Sequence, residues 1–593
     1  MAVTVSRTGG RPSGRGPSRR SAGTGGRAPH VPRRSRRPAP APLHPRSFGA
    51  LPLFPALLLA AASGLLLTWA FPAEDVWVLA FPALAGLLVA LRGRGFWTGV
   101  VVGLAGGAAF WFPLIGWLTL FLGPVPLVAL GSLQVAFFAL GCGLVALAYR
   151  SVPFVWPSRW GTVGLTPLVV AAAWTAREVV AGTWPYGGFA WGRVSLSQSS
   201  GPFADLAAWF GLSGLSFVLV WLAAFAVAVL TEPPGSPAEP AGADLVRRTE
   251  PDPLRPTRYG LSPDPQDWAW PDARWWDRAL PRLTAVALAA LALVAIPAFR
   301  PTTEGVLRVG AVQANSKSGY FQRTDYVGQV LDQNVQASLP LVTDRVQLLV
   351  WPEGASDVSP LADASAAERW TQIASLTGAP LLAGAITERD GRFYNSSLLW
   401  RPEAGVVAAY DKVRPIPFAE YVPDRAFWTP FAPELLGLIG RDYTPGTRSP
   451  LMEVDGVVIG VDICFDIVDD GLITGSVRDG AQVLIAQTNN ADFGDTEESR
   501  QQLAIARMRA IETGRSLVAV STVAATAAFG PDGALLESVP AFRRGSMSVD
   551  LPVSTGRTPA VAFGVPLGAG LALFGVLAPL AAAVLARPLR RRA

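Results

Sequence analysis

The sequence predicts a polytopic α-helical membrane domain with eight transmembrane helices joined to a layered α/β sandwich, and three observations predict it. Half of the 593 residues are hydrophobic, only 16% are charged and the mean hydropathy is +0.33, which is too apolar for an ordinary soluble enzyme. Seven apolar stretches precede Gly305 and one more runs from Val561 to Ala586. Between them the pattern changes to short apolar runs that alternate with amphipathic segments, the signature of strands interleaved with helices.

Residues 1–47 are rich in Arg, Gly, Pro and Ser and hold no acidic residue before Arg46, so they read as a disordered cytoplasmic arm. The apolar stretches centred near Leu59, Leu84, Leu104, Val135, Val170, Val218 and Leu291 fill residues 48–300. Each approaches the roughly 20 residues that a helix needs to cross the bilayer, the second being short. The basic start and first stretch imitate a cleaved signal peptide, but further apolar stretches follow directly, and an uncleaved helix is the better reading. Arg92, Arg94, Arg150 and Arg159 lie between helices on the side of the N-terminus, where the positive-inside rule places basic loops. Residues 231–278, Pro-rich and charged, read as a cytoplasmic loop. Seven crossings then carry residues 301–556 outside, and residues 557–593 return as an eighth helix with a tail ending in Arg590, Arg591 and Arg592.

Composition excludes several function classes. The charge of +6 and pI near 9.6 raise the question of nucleic acid. The basic residues flank apolar helices, however, and membrane topology accounts for them. The two cysteines, Cys142 in an apolar helix and Cys464 in the polar part, suggest no disulfide framework. Both histidines, His30 and His44, sit in the basic arm, so no metal or organic cofactor is expected. The apolar helices carry few charges, which argues against a transporter. Arg177 and Glu178, at the end of the fifth helix, read as an interfacial pair.

Three constellations carry chemistry. The runs Leu307–Gln313, Val346–Val350, Val457–Ile463 and Val483–Ala486 read as buried strands, and the patterns around Ala366–Leu376 and Ser499–Thr513 as helices. Glu353 follows a strand and precedes Gly354, placed to point into a cleft. Taken alone, it is as easily a surface glutamate. Lys412 and Glu420 share a loop that Pro415, Pro417 and Pro423 stiffen. An ordinary solvated lysine is the plain reading, yet only Lys317 and Lys412 stand among 50 basic Lys and Arg residues. Cys464 closes a strand before a polar turn, as a nucleophile does, although a lone cysteine is more often inert core.

Strand-end Glu353, loop Lys412 and strand-end Cys464, in that order, resemble the nitrilase (carbon–nitrogen hydrolase) superfamily. The helices placed on both sides of that domain resemble its apolipoprotein N-acyltransferase family, across nearly everything from Leu51 to Ala586. Trp184-Pro185, Trp191-Gly192, the run Pro417–Pro423 and the run Ala506–Glu512 support the likeness. The resemblance implies a nitrilase-like αββα sandwich, with Glu353 as general base, Lys412 as oxyanion-stabilising cation and Cys464 as nucleophile. It implies transfer of a fatty acyl chain from a phospholipid, through a cysteine thioester, to the N-terminal amine of the S-diacylglyceryl-cysteine of apolipoproteins. The implied setting is the bacterial cytoplasmic membrane, with the catalytic domain extracytoplasmic, a monomer, and no nucleic acid partner. Chemistry agrees with these roles: a thiol must lose its proton to attack, and a buried ammonium stabilises the developing oxyanion.

Around the triad, Glu420, Tyr421 and Phe465 are expected to support the site; for Glu420 an orienting and a purely structural role stand side by side. The apolar segment containing Trp428 and Phe431 reads either as a lid that meets lipid or as a core-packing helix. Asn490 and Asp492 are expected substrate contacts. Two departures from the family pattern stand out: Phe465-Asp466 where Tyr-Glu is common, and Asp492 where a tryptophan is common, which puts substrate preference in doubt. Two other functions remain in view, a membrane-tethered amidase that passes the acyl group to water and a non-catalytic lipid-binding scaffold.

Overall fold

The computed structural model describes residues 50–231 and 275–592, apart from Lys317, Tyr320 and Phe321. The expected arm of residues 1–47 and most of the loop 231–278 lie outside the described residues. The first part is helical: α1 (Leu53–Trp69), α2 (Ala80–Leu91), α3 (Phe96–Leu114), a single turn α4 (Thr119–Leu122), α5 (Pro124–Val155), α6 (Thr166–Ala181), α7 (Ala207–Leu230) and α8 (Trp275–Val294). Every expected apolar stretch is a helix. Five described helices are long and apolar enough to cross a membrane: Phe96–Leu114, Pro124–Val155, Trp160–Ala181, Ala204–Leu230 and Pro559–Arg590. Leu53–Trp69, Trp77–Leu91 and Ala279–Val294 are shorter.

The helices approach closely where small residues meet, as is usual when lipid supplies no hydrophobic drive for association. A Cβ on Gly575 would lie 2.0 Å from the Ala172 carbonyl oxygen, so this crossing of two helices tolerates glycine alone. Helix α7 breaks at Gly211, whose φ of 69° and ψ of 174° suit a residue without a side chain. Arg177 and Glu178 differ from the interfacial reading. Both are buried, and Glu178 Oε1 accepts from Trp174 Nε1 at 2.8 Å and from the Val194 amide at 3.1 Å. The Arg177 guanidinium stacks 4.2 Å from the Trp174 ring centre. Aromatic faces and a salt bridge compensate this charge inside the bundle.

The second part comprises β1 (Thr303–Gln313), α9 (Gln329–Ser338), β2 (Leu348–Val350), α10 (Ala364–Thr377), β3 (Leu381–Arg389), β4 (Arg392–Arg401), β5 (Gly405–Asp411), α11 (Arg425–Trp428), α12 (Pro433–Gly437), β6 (Leu451–Val454), β7 (Val457–Ile463), α13 (Asp470–Arg478), β8 (Val483–Thr488), α14 (Glu497–Thr513), β9 (Ser516–Ser521), β10 (Thr526–Phe529), β11 (Leu535–Val539) and β12 (Gly545–Ser554). Helix α15 (Pro559–Arg592) then rejoins the membrane helices, packing along α5, α6 and α7.

Two six-stranded sheets form, ordered β12-β1-β2-β3-β4-β5 and β11-β10-β9-β8-β7-β6. Their inner faces meet. In β8, Val483 and Ile485 enter the core between the sheets, while Leu484 and Ala486 face the helix layer; Val518 and Leu517 of β9 divide the same way. Period-two alternation with both faces apolar is what a sheet covered on both sides requires. Helices α9 and α10 cover the first sheet. Helices α13 and α14 lie between the second sheet and the membrane helices, and a single apolar cluster runs from Leu484 and Ile505 into Trp111, Trp174 and Leu215. This is the expected αββα sandwich, with one helical layer shared between the two parts of the chain.

Polar side chains rivet that shared layer. Gln501 of α14 accepts from the indole nitrogens of Trp117 (3.1 Å) and Trp191 (2.6 Å) and donates to the Leu114 carbonyl at 3.0 Å. The Leu212 amide, freed by the break at Gly211, donates to Glu512 Oε1 at 3.1 Å. Arg509 bridges Glu512 and Asp470, and Asp470 in turn receives Arg193 at 2.7 Å. These two arginines hold the half-buried Asp470 carboxyl at about 2, against the upward pull of burial.

Candidate active site

Each candidate residue is positioned by a strand end. Strand β2 stops at Val350, and Trp351-Pro352 carries the chain to Glu353. Gly384 of β3 donates its amide to the Pro352 carbonyl at 3.2 Å, which fixes this turn against the sheet. Lys412 follows β5; its amide donates to the Asn395 carbonyl and its own carbonyl accepts from Gly446, both at 2.8 Å. Cys464 follows β7 and adopts a φ of +52°, a left-handed conformation uncommon for a side-chain-bearing residue and concentrated at functional sites. The sharp turn aims the thiol out of the sheet. Asp466, two residues on, holds the turn by accepting from Tyr410 Oη at 2.7 Å and from the Arg414 amide at 2.8 Å.

These three strand ends converge on one cavity of about 1610 Å³, lined by Glu353, Lys412, Glu420 and Cys464. Lys412 Nζ lies 3.3 Å from Glu353 Oε1 and 2.8 Å from Glu420 Oε2. Asn395 Nδ2 donates to both carboxylates, at 2.6 Å to Glu353 and 2.9 Å to Glu420, and the Ile416 amide adds a 2.7 Å bond to Glu420. One ammonium and one amide therefore hold two carboxylates together.

Burial would lower the Lys412 ammonium, but Glu353 and Glu420 overcome it and keep Lys412 well above its ordinary value, so it stays charged. Burial raises the Glu353 carboxyl, with Lys412 and the Asn395 bond pulling it back. Burial and the Glu353 charge push the Cys464 thiol up, against Lys412. Such a thiol reacts only if a neighbour takes its proton, and Glu353 is a carboxylate at hand in the same cavity.

The rest of the cavity wall is made by the helical part. Trp117, Phe121, Leu130 and Phe189 line it, and Phe189 stacks on Phe465 with ring centres 5.9 Å apart. The segment after Glu420 forms its rim. Trp428 and Phe431 line the cavity; Phe431 is 71% exposed, and Trp428 packs on Phe418. The segment shares features of both readings: Phe431 is exposed, while Trp428 packs against a small cluster of Val422, Leu436 and Ile439. Tyr186 of the helical part latches this rim: its hydroxyl donates to Asp424 Oδ2 at 2.9 Å and accepts from Trp428 Nε1 at 3.2 Å.

Asp492 lines the cavity, whereas Tyr421 does not and instead borders a smaller hollow beside Tyr186 and Phe465. Asn490 sits behind the wall, bonded to Glu498, Gln502 and Ser521. Three further residues reach the site without having been expected from sequence: Asn395, Gln502, whose Nε2 lies 3.8 Å from Cys464 Sγ, and Glu498. Glu498 lies just ahead of the expected helix Ser499–Thr513 and Gln502 in its first turn; the helix itself begins at Glu497 and sets the two one turn apart. Among the described residues no cluster of His, Cys, Asp and Glu is arranged to hold a metal ion.

Comparison with known proteins places both parts of the chain. Residues 63–225 match the family model of the apolipoprotein N-acyltransferase N-terminal domain, and residues 308–559 that of carbon–nitrogen hydrolases. The chain is 31% identical to the apolipoprotein N-acyltransferase of Mycolicibacterium smegmatis over 548 residues, covering 87% of this chain and 83% of that one. It is 28% identical over 562 residues to the enzyme of that name from Pseudomonas aeruginosa strain LESB58, covering 91% and 97%. Among solved structures, an amidase from Nesterenkonia sp. is 19% identical, covering 44% of this chain and 95% of that one, with a TM-score of 0.33.

Proposed function

This chain belongs to the apolipoprotein N-acyltransferase family, and from that premise we propose that it moves a fatty acyl chain from a phospholipid, through a thioester on Cys464, to the α-amino group of the diacylglyceryl-cysteine that begins a lipoprotein. One observation carries the proposal. Glu353, Lys412 and Cys464 line a single cavity whose opposite wall is built from apolar helices. A lipid chain can thus lie against Trp117 and Phe121 while its ester reaches the thiol.

Glu353 takes the thiol proton as Sγ attacks the ester carbonyl. The Lys412 ammonium stabilises the oxyanion in a site that excludes water. Glu353 returns the proton to the departing lysophospholipid oxygen, leaving the thioester. The acceptor amine then attacks the same carbonyl, the C–S bond breaks, and the amide leaves. Glu420 keeps Lys412 charged and placed.

Orientation follows from charge. Arg94 donates to the Leu51 carbonyl, Arg590 to the Arg150 carbonyl, and Arg92 to Thr231, so the basic residues gather at one end of the helices. Gln501 and Glu512 join the sandwich at the other end. The positive-inside rule supports a sandwich on the extracytoplasmic side and a basic end in the cytoplasm, the proposal counting the three shorter apolar helices with the five long ones as eight crossings.

The test is an intact-mass measurement of the purified protein in detergent. Exposure to mixed phospholipids should add one acyl mass at Cys464, absent in Cys464→Ala, and a diacylglyceryl-cysteinyl peptide should remove it as an amide. Release only as free fatty acid in the presence of that peptide would mark a hydrolase instead. Absence of any adduct would remove the thioester.

A further inference from the structure

Glu353 and the half-buried Glu420 share Lys412, but Glu498, which also lines the cavity, has no cation among the described residues. It is 3% exposed, and one of its oxygens accepts from Asn490 Nδ2 at 2.7 Å. Its other oxygen has no hydrogen-bond partner among the described residues. The same Asn490 nitrogen donates to Gln502 Oε1 at 2.8 Å, and the far end of that amide lies 3.8 Å from Cys464 Sγ. Glu498 precedes Gln502 by one helical turn and so stands on the same face of α14, beside the nucleophile.

A buried carboxylate with an open oxygen suits a cationic ligand. Of the participants in the proposed transfer, the acceptor alone arrives with a positive group that must be discharged before it can react. We infer that Glu498 receives the α-ammonium of the acceptor and takes one of its protons before the amine attacks the thioester on Cys464. The inference rests on the acyl-transfer reading above.

Burial pushes the Glu498 carboxyl up to about 8 in the empty site; an arriving ammonium favours its ionised form, and a carboxyl raised into this range can exchange a proton with an α-amino group. In the step itself, Glu498 takes one proton from the ammonium. The nitrogen lone pair forms the C–N bond, the C–S bond breaks, and Sγ leaves with its electron pair. The second N–H proton reaches Sγ through Glu353, and Glu498 releases its proton to water. The products are the amide and the free thiol.

The alternative is that Glu498 merely props Asn490. Half-reactions separate the two. Full-length protein carrying Glu498→Gln, in detergent, is loaded from phospholipid and then discharged either by the diacylglyceryl-cysteinyl peptide or by hydroxylamine, which is neutral at pH 7. Discharge to the peptide is expected to slow by about 10²-fold, the ordinary scale of general-base assistance, while loading and discharge to hydroxylamine stay near wild type. Glu498→Asp, which keeps a carboxylate, should recover part of the peptide rate. Unchanged discharge to the peptide, equal slowing with both nucleophiles, or an aspartate variant no faster than glutamine would overturn the inference. If the wild-type protein fails to load, the acyl-transfer reading itself falls, and this inference with it.

Discussion

At the scale of single residues, the site is defined by what shares a proton with what. Asn395 lowers the Glu353 carboxyl by donating to it, against the dominant upward push of burial. In the proposed reaction Glu353 must be ionised to receive the Cys464 proton, so thioester formation would rise with pH through its folded value. Removing the donor raises that value further. Asn395→Leu should therefore shift the rising limb of the pH–rate profile for acyl loading to higher pH, with the rate recovering on the alkaline side; a limb in the wild-type position would show that Asn395 does not tune the base. Glu353, Lys412 and Cys464 were legible in the sequence because each stands in a short motif at a strand end, and Glu420 because it shares the proline-stiffened loop with Lys412. Asn395 was not. It lies in the middle of β4, and its partners are 42 and 25 residues distant in sequence. A hydrogen bond across a sheet leaves no local pattern.

Elements place those residues, and here the tolerance is small. Strand β3 passes so close to the turn after β2 that a Cβ on Gly384 would lie 2.6 Å from the Pro352 carbonyl oxygen and 2.7 Å from Glu353 Cα. Both are backbone atoms, and neither can swing aside. Gly384→Ala should displace Glu353 and slow acyl loading by about 10²-fold, the usual cost of a misplacement near 1 Å, while phospholipid still protects the protein against heating. A wild-type loading rate would mean that the turn can yield. The periodicities placed the four strands and two helices they named in the sandwich to within a few residues, Val346–Val350 shortening to Leu348–Val350, but eight of its twelve strands were not named. Hydropathy could not foresee the break at Gly211, because the residues on either side stay apolar and the cause is an acceptor, Glu512, supplied from 300 residues away. It also misjudged Arg177 and Glu178, part of whose compensation comes from the Phe138 ring and the Val194 amide on other segments.

For the whole molecule, the decisive feature is the layer that both parts use. Gln501 satisfies two indoles and a carbonyl of the helical part at once. Gln501→Leu keeps the bulk but leaves those buried groups without partners, at about 1–3 kcal/mol each. Thermal unfolding in detergent should begin several degrees lower, and an unchanged midpoint would show that water replaces the amide. The sequence announced two domains with a chain running between them. That they interlock through α14 could not be read, since an amphipathic helix does not reveal which surface will cover it.

The cavity has a further implication. Its floor, with the thiol and its acid–base partners, is furnished by the sandwich, but its ceiling of Trp117, Phe121 and Phe189 is furnished by the helices. Neither half encloses the space alone. Strip away that aromatic roof and the thioester of the proposed reaction would stand open to bulk water, a competitor of the amine. In the proposed reaction, choosing nitrogen over oxygen as the final resting place of the acyl group would be a property of the embrace between the two halves, and the apolar helices would be as much a part of the chemistry as an anchor for it.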